Sequence, residues 1–240
     1  MASQILEARG LRKVYTTGQR SLEVLKGIDL DLTRGEIIAV TGPSGVGKST
    51  LLHILGLLDR PTEGRLSFDG VDVLHMGPDE ASAFRNRRIG FVFQFHHLLN
   101  EFTALENVIL PLLIARANEA EAFSRGRSLL ARVGLTDREN HLPGELSGGE
   151  MQRVAVARAL ISRPDVVLAD EPSGNLDSAN KAELHDLIRG LAREMRQAFV
   201  IVTHDADIAL RADREVRLAD GRVGEIRSNG FHEGSDSARR

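Results

Sequence analysis

The sequence predicts an α/β protein built on a largely parallel sheet. Three observations carry that class. Apolar runs of strand length alternate with stretches of helical character. A glycine-rich turn, Gly42-Pro43-Ser44-Gly45-Val46-Gly47-Lys48-Ser49-Thr50, joins one such run to a helix. A second run, Val166-Val167-Leu168-Ala169, ends in two carboxylates, Asp170 and Glu171.

Taken in order, Ile5–Ala8, Ser21–Leu25 and Ile28–Leu32 alternate apolar and polar residues as strands do. Glu36–Val40 reads as a buried strand before the glycine-rich turn, and Ser49–Leu55 as the helix after it. Arg65–Gly70 resembles a strand ending in a turn, and Ile89–Gln94 is a further apolar strand. From Phe95 to about Leu160 the character is helical. Thr103 and Glu106 there have the spacing of a capping box. Ala120–Val133 forms a second helix, stopped by Gly134. Strands return at Asp165–Asp170 and Phe199–His204, with the helix Ala182–Arg196 between them. Asp220-Gly221 turns a terminal hairpin over Val216–Val223. The predicted organisation is one domain over residues 1–227, with a helical subdomain inserted at about 95–160. A loose polar tail is expected over 228–240.

Composition narrows the function classes. A chain of 240 residues can bury a substantial core. Its net charge of −3 gives no reason to expect a nucleic-acid partner. With no cysteine there is neither a disulfide framework nor thiol chemistry, which suits a cytoplasmic setting. Met1 to Arg9 lacks the apolar core of a signal segment. The most apolar segment, Val108–Ala115, falls far short of the ~20 residues that span a bilayer, so the chain is not expected to be membrane-spanning.

The turn at Gly42–Thr50 fits the pattern of a phosphate-binding loop: Gly, four residues, Gly-Lys-Ser. Its glycines let the backbone wrap closely around phosphate oxygens. The helix that follows presents N–H groups and a positive dipole end to an anion. Lys48 is placed to reach the β- and γ-phosphates, and Ser49 to hold Mg²⁺. Asp170, at a strand end, suits a second Mg²⁺ contact, and Glu171 suits a general base that polarises water. A further glycine-rich helix start is Leu146-Ser147-Gly148-Gly149-Glu150. Ser147 and Glu150 have capping-box spacing, and the two glycines also open the N-terminus to an anion. Two phosphate-binding helix starts in one chain suggest a two-fold dimer in which each copy covers the other's nucleotide. His96-His97 has no third metal ligand at a suitable spacing, and a surface contact is the preferred reading.

These residues together resemble the ATPase subunits of ABC transporters. Gly42 to Thr50 is similar to the Walker A loop, and Gln94 to the Q-loop glutamine. Leu146 to Glu150 is similar to the LSGGQ-type signature, with Glu in the last place. Val166 to Glu171 is similar to Walker B and the catalytic glutamate. Ser173-Gly174-Asn175-Leu176-Asp177 is similar to the D-loop, and His204 to the switch histidine. The order and spacing hold from about Ile5 to Val223. The resemblance implies a RecA-like P-loop NTPase core with a small antiparallel β-subdomain and a helical subdomain. It implies two ATPs sandwiched between head-to-tail copies, with Ser147, Gly148, Gly149 and Glu150 of one chain facing the nucleotide held by the other. It further implies adenine stacking on Tyr15, Mg²⁺ held by Ser49, Gln94 and Asp170, and a seam role for Asp177. An N-cap role for Asp177 is an alternative that can coexist with the seam role. Glu171, His204 and Gln94 are the implied catalytic residues.

Within that family, Gln94 to Val108 resembles the stretch after the Q-loop in ATPases of lipoprotein-releasing systems. There it faces the cytoplasmic loops of the membrane subunits. Phe95, Leu98, Leu99 and Phe102 suit a protein-contact patch, although some of them must serve the subdomain core. The resemblance implies a peripheral motor subunit on the cytoplasmic face of the inner membrane, working with integral permease subunits. Alternatives are a macrolide, peptide or cell-division ABC complex, and a soluble ABC ATPase. Pro43, Val46 and Met151 depart from common family residues without removing a group the chemistry needs.

Overall fold

The computed structural model describes residues 4–18 and 20–229. Residues 230–240 of the expected tail, and residues 1–3 of the N-terminal segment, lie outside that range; Ser228 closes the last strand.

The chain opens with a long hairpin, β1 (Gln4–Thr17) and β2 (Arg20–Thr33). Sequence alternation suggested three short strands here, and the structure joins them into two long ones. Register shifts interrupt the β1–β2 pairing between Ala8 and Leu11 and again between Lys13 and Val14. Each shift resets the side-chain alternation, so a period-2 reading breaks the run where the strand continues. Next come β3 (Ile37–Thr41), α1 (Lys48–Leu55), β4 (Glu63–Phe68) and the two-residue β5 (Val71–Asp72). They are followed by α2 (Pro78–Arg88) and β6 (Ile89–Phe93). The helical insert holds α3 (Ala104–Ile114), α4 (Glu119–Arg132) and α5 (Gly148–Leu160). The chain returns through β7 (Val166–Asp170), α6 (Ser178–Met195), β8 (Ala198–Val202) and α7 (Ala206–Arg211). It closes with the hairpin β9 (Arg214–Ala219) and β10 (Arg222–Ser228), as expected from Asp220-Gly221.

Two sheets result. One is antiparallel with order β2-β1-β4-β5; the other has order β10-β9-β3-β8-β7-β6. In the second, β9, β3, β8, β7 and β6 pair in parallel and only β10 is antiparallel. The central strands are apolar at nearly every position because both faces of the sheet are covered. Ile37, Ala39, Val167, Ala169, Phe199 and Ile201 point into a core shared with the helices α3 to α7. The alternate residues, Ile38, Val40, Val166, Leu168, Val200 and Val202, pack against α1 and the antiparallel sheet. This is the period-2 division expected of a strand, with neither face left to water.

The helical reading from Phe95 begins too early. Residues 95–103 are loop, and α3 starts at Ala104 behind the Thr103–Glu106 capping box, both halves of which form. Buried Asn107 holds that loop in shape: its amide donates to the carbonyls of Leu99, Phe102 and Thr103, and its Oδ1 accepts from the Leu99 N–H at 2.8 Å. The helix α2 has no apolar stripe for periodicity to reveal, because none of its residues is buried. Its ends are nevertheless marked, by Pro78 and the acids Asp79 and Glu80 in the first turn and by Arg85, Arg87 and Arg88 in the last.

Candidate active site

The parallel strands bring the sequence-predicted residues to one edge. Thr41, Asp170, Val202 and Phe93 are the last residues of β3, β7, β8 and β6. The phosphate loop, Asp170-Glu171, Thr203-His204 and Gln94 therefore leave the sheet at its C-terminal ends, where open α/β sheets take their ligands.

The phosphate loop is shaped by its glycines. Gly42, Gly45 and Gly47 have φ of 142°, 77° and 106°. A Cβ on Gly42 would lie 2.5 Å from the Leu218 carbonyl oxygen, and one on Gly47 would lie 2.8 Å from the Leu25 side chain. Helix α1 starts from Gly47 with no side-chain cap and no acid in its first turn. By contrast α3, α4, α5, α6 and α7 are capped by Thr103, Asn118, Ser147, Asp177 and Asp205. The N–H groups at the start of α1 therefore lack the internal acceptor that these helices have, which suits an anion. The Lys48 ammonium donates back to the carbonyls of Gly42 at 2.9 Å and Pro43 at 3.0 Å. It is thereby held over the loop.

Ser49 and Asp170 come together as expected, with Ser49 Oγ donating to Asp170 Oδ1 at 3.4 Å. Burial raises the Asp170 pKa, and the Ser49 hydroxyl partly opposes that. A carboxylate and a hydroxyl suit a hard cation that takes most of its ligands from water and substrate phosphates. Among the described residues no three His, Cys, Asp or Glu side chains gather into a cage of their own. Glu171 adopts φ of 46°, a left-handed conformation that costs a non-glycine residue roughly 1–2 kcal/mol. Its backbone N–H donates to the Val202 carbonyl. Its Oε1 lies 2.8 Å from His204 Nδ1, and Thr203 Oγ1 donates to its Oε2 at 3.3 Å. Glu171 and His204 are thus direct partners, an arrangement in which the imidazole orients the carboxylate.

Gln94 lies one residue beyond β6 and locks reciprocally with Asn175. Its Nε2 donates to Asn175 Oδ1 at 3.0 Å, and Asn175 Nδ2 donates to the Gln94 carbonyl at 3.1 Å. Gly174 permits the approach: a Cβ there would meet Gln94 Nε2 at 2.9 Å. Buried His185 lies 3.0 Å from Ser173 Oγ, behind the same loop. The D-loop motif contains Asn175 but does not reveal its bond to Gln94, 81 residues away, and no motif marks His185.

Tyr15 keeps 40% of its surface exposed, as a stacking ring must. Its hydroxyl donates to Asp59 Oδ2 at 2.7 Å, and the Lys13 ammonium sits 4.8 Å from the ring centre. Burial and the Asp59 contact raise the phenol pKa.

At the second glycine-rich helix start the capping box is formed. The Glu150 N–H donates to Ser147 Oγ at 3.2 Å, and the Ser147 N–H donates to Glu150 Oε2 at 2.8 Å. Arg138 Nε donates to Glu150 Oε1 at 2.9 Å. The Ser147 N–H foremost, then Arg138, lower the Glu150 carboxyl from 4.5 to about 2. Glu150 is therefore committed to the cap, and Ser147 and Gly148 stay accessible at the helix start, while Gly149 is buried against Asn180, whose Oδ1 a Cβ there would meet at 2.7 Å. A depressed folded pKa means that the stabilisation is fully present above pH about 4.5 and fades as pH falls toward 2. Glu150→Gln is expected to melt below the wild type at neutral pH, with the gap narrowing stepwise below pH about 4.5. Scanning calorimetry across that range checks it; a gap independent of pH would show that the carboxylate's charge is not what stabilises the cap. Asp177 caps α6, accepting the Asn180 N–H at 2.9 Å.

The segment after Gln94 is tied to helix α5 at several points. Arg158 donates to the carbonyls of His96 at 2.6 Å and His97 at 2.7 Å. Gln152 Nε2 donates to the Phe93 carbonyl at 3.2 Å. The His96 ring bonds to the Gly148 backbone, and burial lowers its pKa, favouring the neutral form. His96 is thus more than the surface contact read from sequence. Phe95, Leu99 and Phe102 are exposed, whereas Leu98 packs on the core.

Comparison with known proteins shows the family and the fold. The family model described as "ABC transporter" matches residues 25–174. The lipoprotein-releasing system ATP-binding protein LolD of Porphyromonas gingivalis is 55% identical, covering 90% of this chain and 97% of its own length. LolD of Geobacter metallireducens is 54% identical, covering 92% and 98%. A dimeric structure of the ATP-binding cassette MJ0796, in a post-hydrolysis state with ADP and Pi, superposes with a TM-score of 0.85 at 38% identity, covering 94% of this chain and 99% of that one. Fold, motif placement and sequence together place this chain in the ABC transporter ATP-binding family, within its group of lipoprotein-releasing system ATP-binding proteins.

Proposed function

We propose that this chain hydrolyses ATP to drive a lipoprotein-releasing transporter, as the names of its relatives suggest. The observation that carries the reading is the gathering of Lys48, Ser49, Asp170, Glu171, His204 and Gln94 at one sheet edge above an uncapped helix start. In this reading the loop from Gly42 to Thr50 cradles the phosphates and Lys48 neutralises them. Ser49, Asp170 and Gln94 hold Mg²⁺, which supplies electrostatic stabilisation of the phosphoryl oxygens when bound. Glu171 takes a proton from the attacking water, and His204 holds Glu171 and the water in line. Tyr15 stacks on adenine, its hydroxyl anchored by Asp59.

Two copies close head to tail, so that Ser147, Gly148 and Gly149 of one cover the γ-phosphate held by the other, with Asp177 at the seam. The dimeric neighbour with ADP and Pi supports the pairing of two copies. The Gln94–Asn175 pair and the His96, Gln152 and Arg158 contacts carry the change from the nucleotide to the Gln94–Val108 patch. No helix among the described residues is long and apolar enough to cross a membrane. In this reading, which rests on the names of the relatives, a permease partner anchors the subunit at the cytoplasmic face of the inner membrane. Exposed Phe95, Leu99 and Phe102 form the contact surface. Nearby, Phe93 lines a cavity of about 1120 Å³ between α2, β6 and the end of α3, which offers a seat for a permease segment.

The absence of cysteine makes the test direct. A single Leu99→Cys substitution is crosslinked in native membranes and the partner identified by mass spectrometry. Capture of a lipoprotein-releasing permease is expected. Capture of a drug-efflux or cell-division permease would replace the cargo, and a working experiment with no membrane partner would favour a soluble ABC ATPase.

A further inference from the structure

A polar bowl of about 440 Å³ opens at the opposite end of the sheet from the nucleotide residues. Asp165 and Gln197, immediately before β7 and β8, form its floor. Five residues of strand, about 17 Å, separate it from Asp170. Arg125 and Arg132 reach it from α4, Arg163 from the turn after α5, Arg196 from the end of α6, and Arg34 from the turn before β3. Against these five arginines stand Asp165 and Glu194. The surplus is positive, on a chain whose net charge is −3. The C-terminal ends of α4, α5 and α6 offset about one and a half units of it, at roughly half a charge each.

Both acids are already engaged. Arg34 and Arg88 hold Asp165, and Arg132 holds Glu194 at 2.6 Å. Arg125 donates to the Ile161 carbonyl at 2.5 Å and has only a loose carboxylate neighbour, Glu121 at 3.8 Å. Among the described residues the Arg163 and Arg196 side chains have no hydrogen bond or ion pair. Burial, and then the charge of Arg163, lower the Arg125 pKa, as expected where like charges converge. Arg163 and Arg196 also have φ of 52° and 49°, in the left-handed region where glycine or asparagine is the usual choice after a helix. Arginine at both places, facing one bowl, provides two free guanidinium forks, and such forks match phosphate oxygens in pairs.

We propose that this bowl binds a phosphate dianion, either inorganic phosphate or a phosphomonoester, through Arg125, Arg163 and Arg196. Bound there, the anion bridges α4 of the helical insert to the strand ends of the core. It thereby restrains the insert from a point remote from the nucleotide.

The test is calorimetric titration of sodium phosphate into the full chain saturated with ADP, at fixed ionic strength, against the Arg163→Gln/Arg196→Gln variant. The difference between the two proteins isolates the bowl whether or not ADP fills the phosphate loop. One saturable site is expected in the wild type, weakened about tenfold or more in the variant. Sedimentation with phosphatidylcholine vesicles, with and without phosphatidic acid, identifies the source. Phosphatidic-acid-dependent retention that the variant loses assigns a lipid headgroup, and binding of free phosphate alone assigns a soluble ligand, inorganic phosphate or a small phosphomonoester. Equal phosphate affinity in both proteins overturns the proposal, as does an absence of both phosphate heat and phosphatidic-acid-dependent retention in the wild type. Wild-type affinity in Arg163→Lys/Arg196→Lys would also overturn it, since diffuse charge without forks would then suffice.

Discussion

Glu171→Gln is expected to lower steady-state ATP turnover by about 10²–10³-fold or more while leaving ATP binding intact. The amide has nearly the same shape as the carboxylate, so packing against Thr203 and His204 persists. The unusual backbone at φ 46° is also retained, because the residue's bulk at Cβ does not change. What is lost is basicity. A carboxamide cannot take a proton from water, whatever its orientation. A structural role alone would reduce stability and turnover together; a base role reduces turnover only. The variant should therefore melt as the wild type does and accumulate as an ATP-bound dimer on size exclusion. Phosphate release under saturating ATP is the deciding measurement, and near-wild-type turnover would remove Glu171 from the role of base.

The parts of the site legible in sequence are those whose chemistry lies in contiguous residues. The phosphate loop announces itself through the spacing of Gly42, Gly47 and Lys48, and its uncapped helix follows from that spacing. Thr103–Glu106 and Ser147–Glu150 were readable as capping boxes for the same reason: both halves of the device lie within four residues. The parallel sheet was legible because its strands are apolar on both faces. What escaped is carried by distant partners. Asn175 meets Gln94 across 81 residues, and Arg158 meets the His97 carbonyl across 61. The Arg125, Arg163 and Arg196 bowl collects residues from three separate segments. Periodicity reports which face of an element is apolar, and α2 shows its limit. A helix with no buried residue has no stripe to read, although the charges at its ends were in plain view.

Lys48→Ala is expected to weaken ATP binding by about 10²-fold, the loss of one or two charge-assisted hydrogen bonds to phosphate. The structure shows the ammonium already held over the loop by the Gly42 and Pro43 carbonyls. An incoming phosphate therefore exchanges neutral acceptors for charged ones without having to recruit a distant side chain. Alanine removes the charge and also leaves those two carbonyls without their donor, so loop rearrangement is a competing explanation for any loss. Lys48→Arg separates the two effects. Arginine keeps the charge and donors for the carbonyls, but a planar fork replaces a compact point charge. If phosphate contact is what matters, Arg should recover only part of the affinity. If loop support is what matters, Arg should recover nearly all of it. Fluorescent-nucleotide titration of both variants, with circular dichroism to establish folding, distinguishes these outcomes. ATP affinity unchanged in Lys48→Ala would mean that the uncapped start of α1, with backbone N–H groups alone, holds the phosphates.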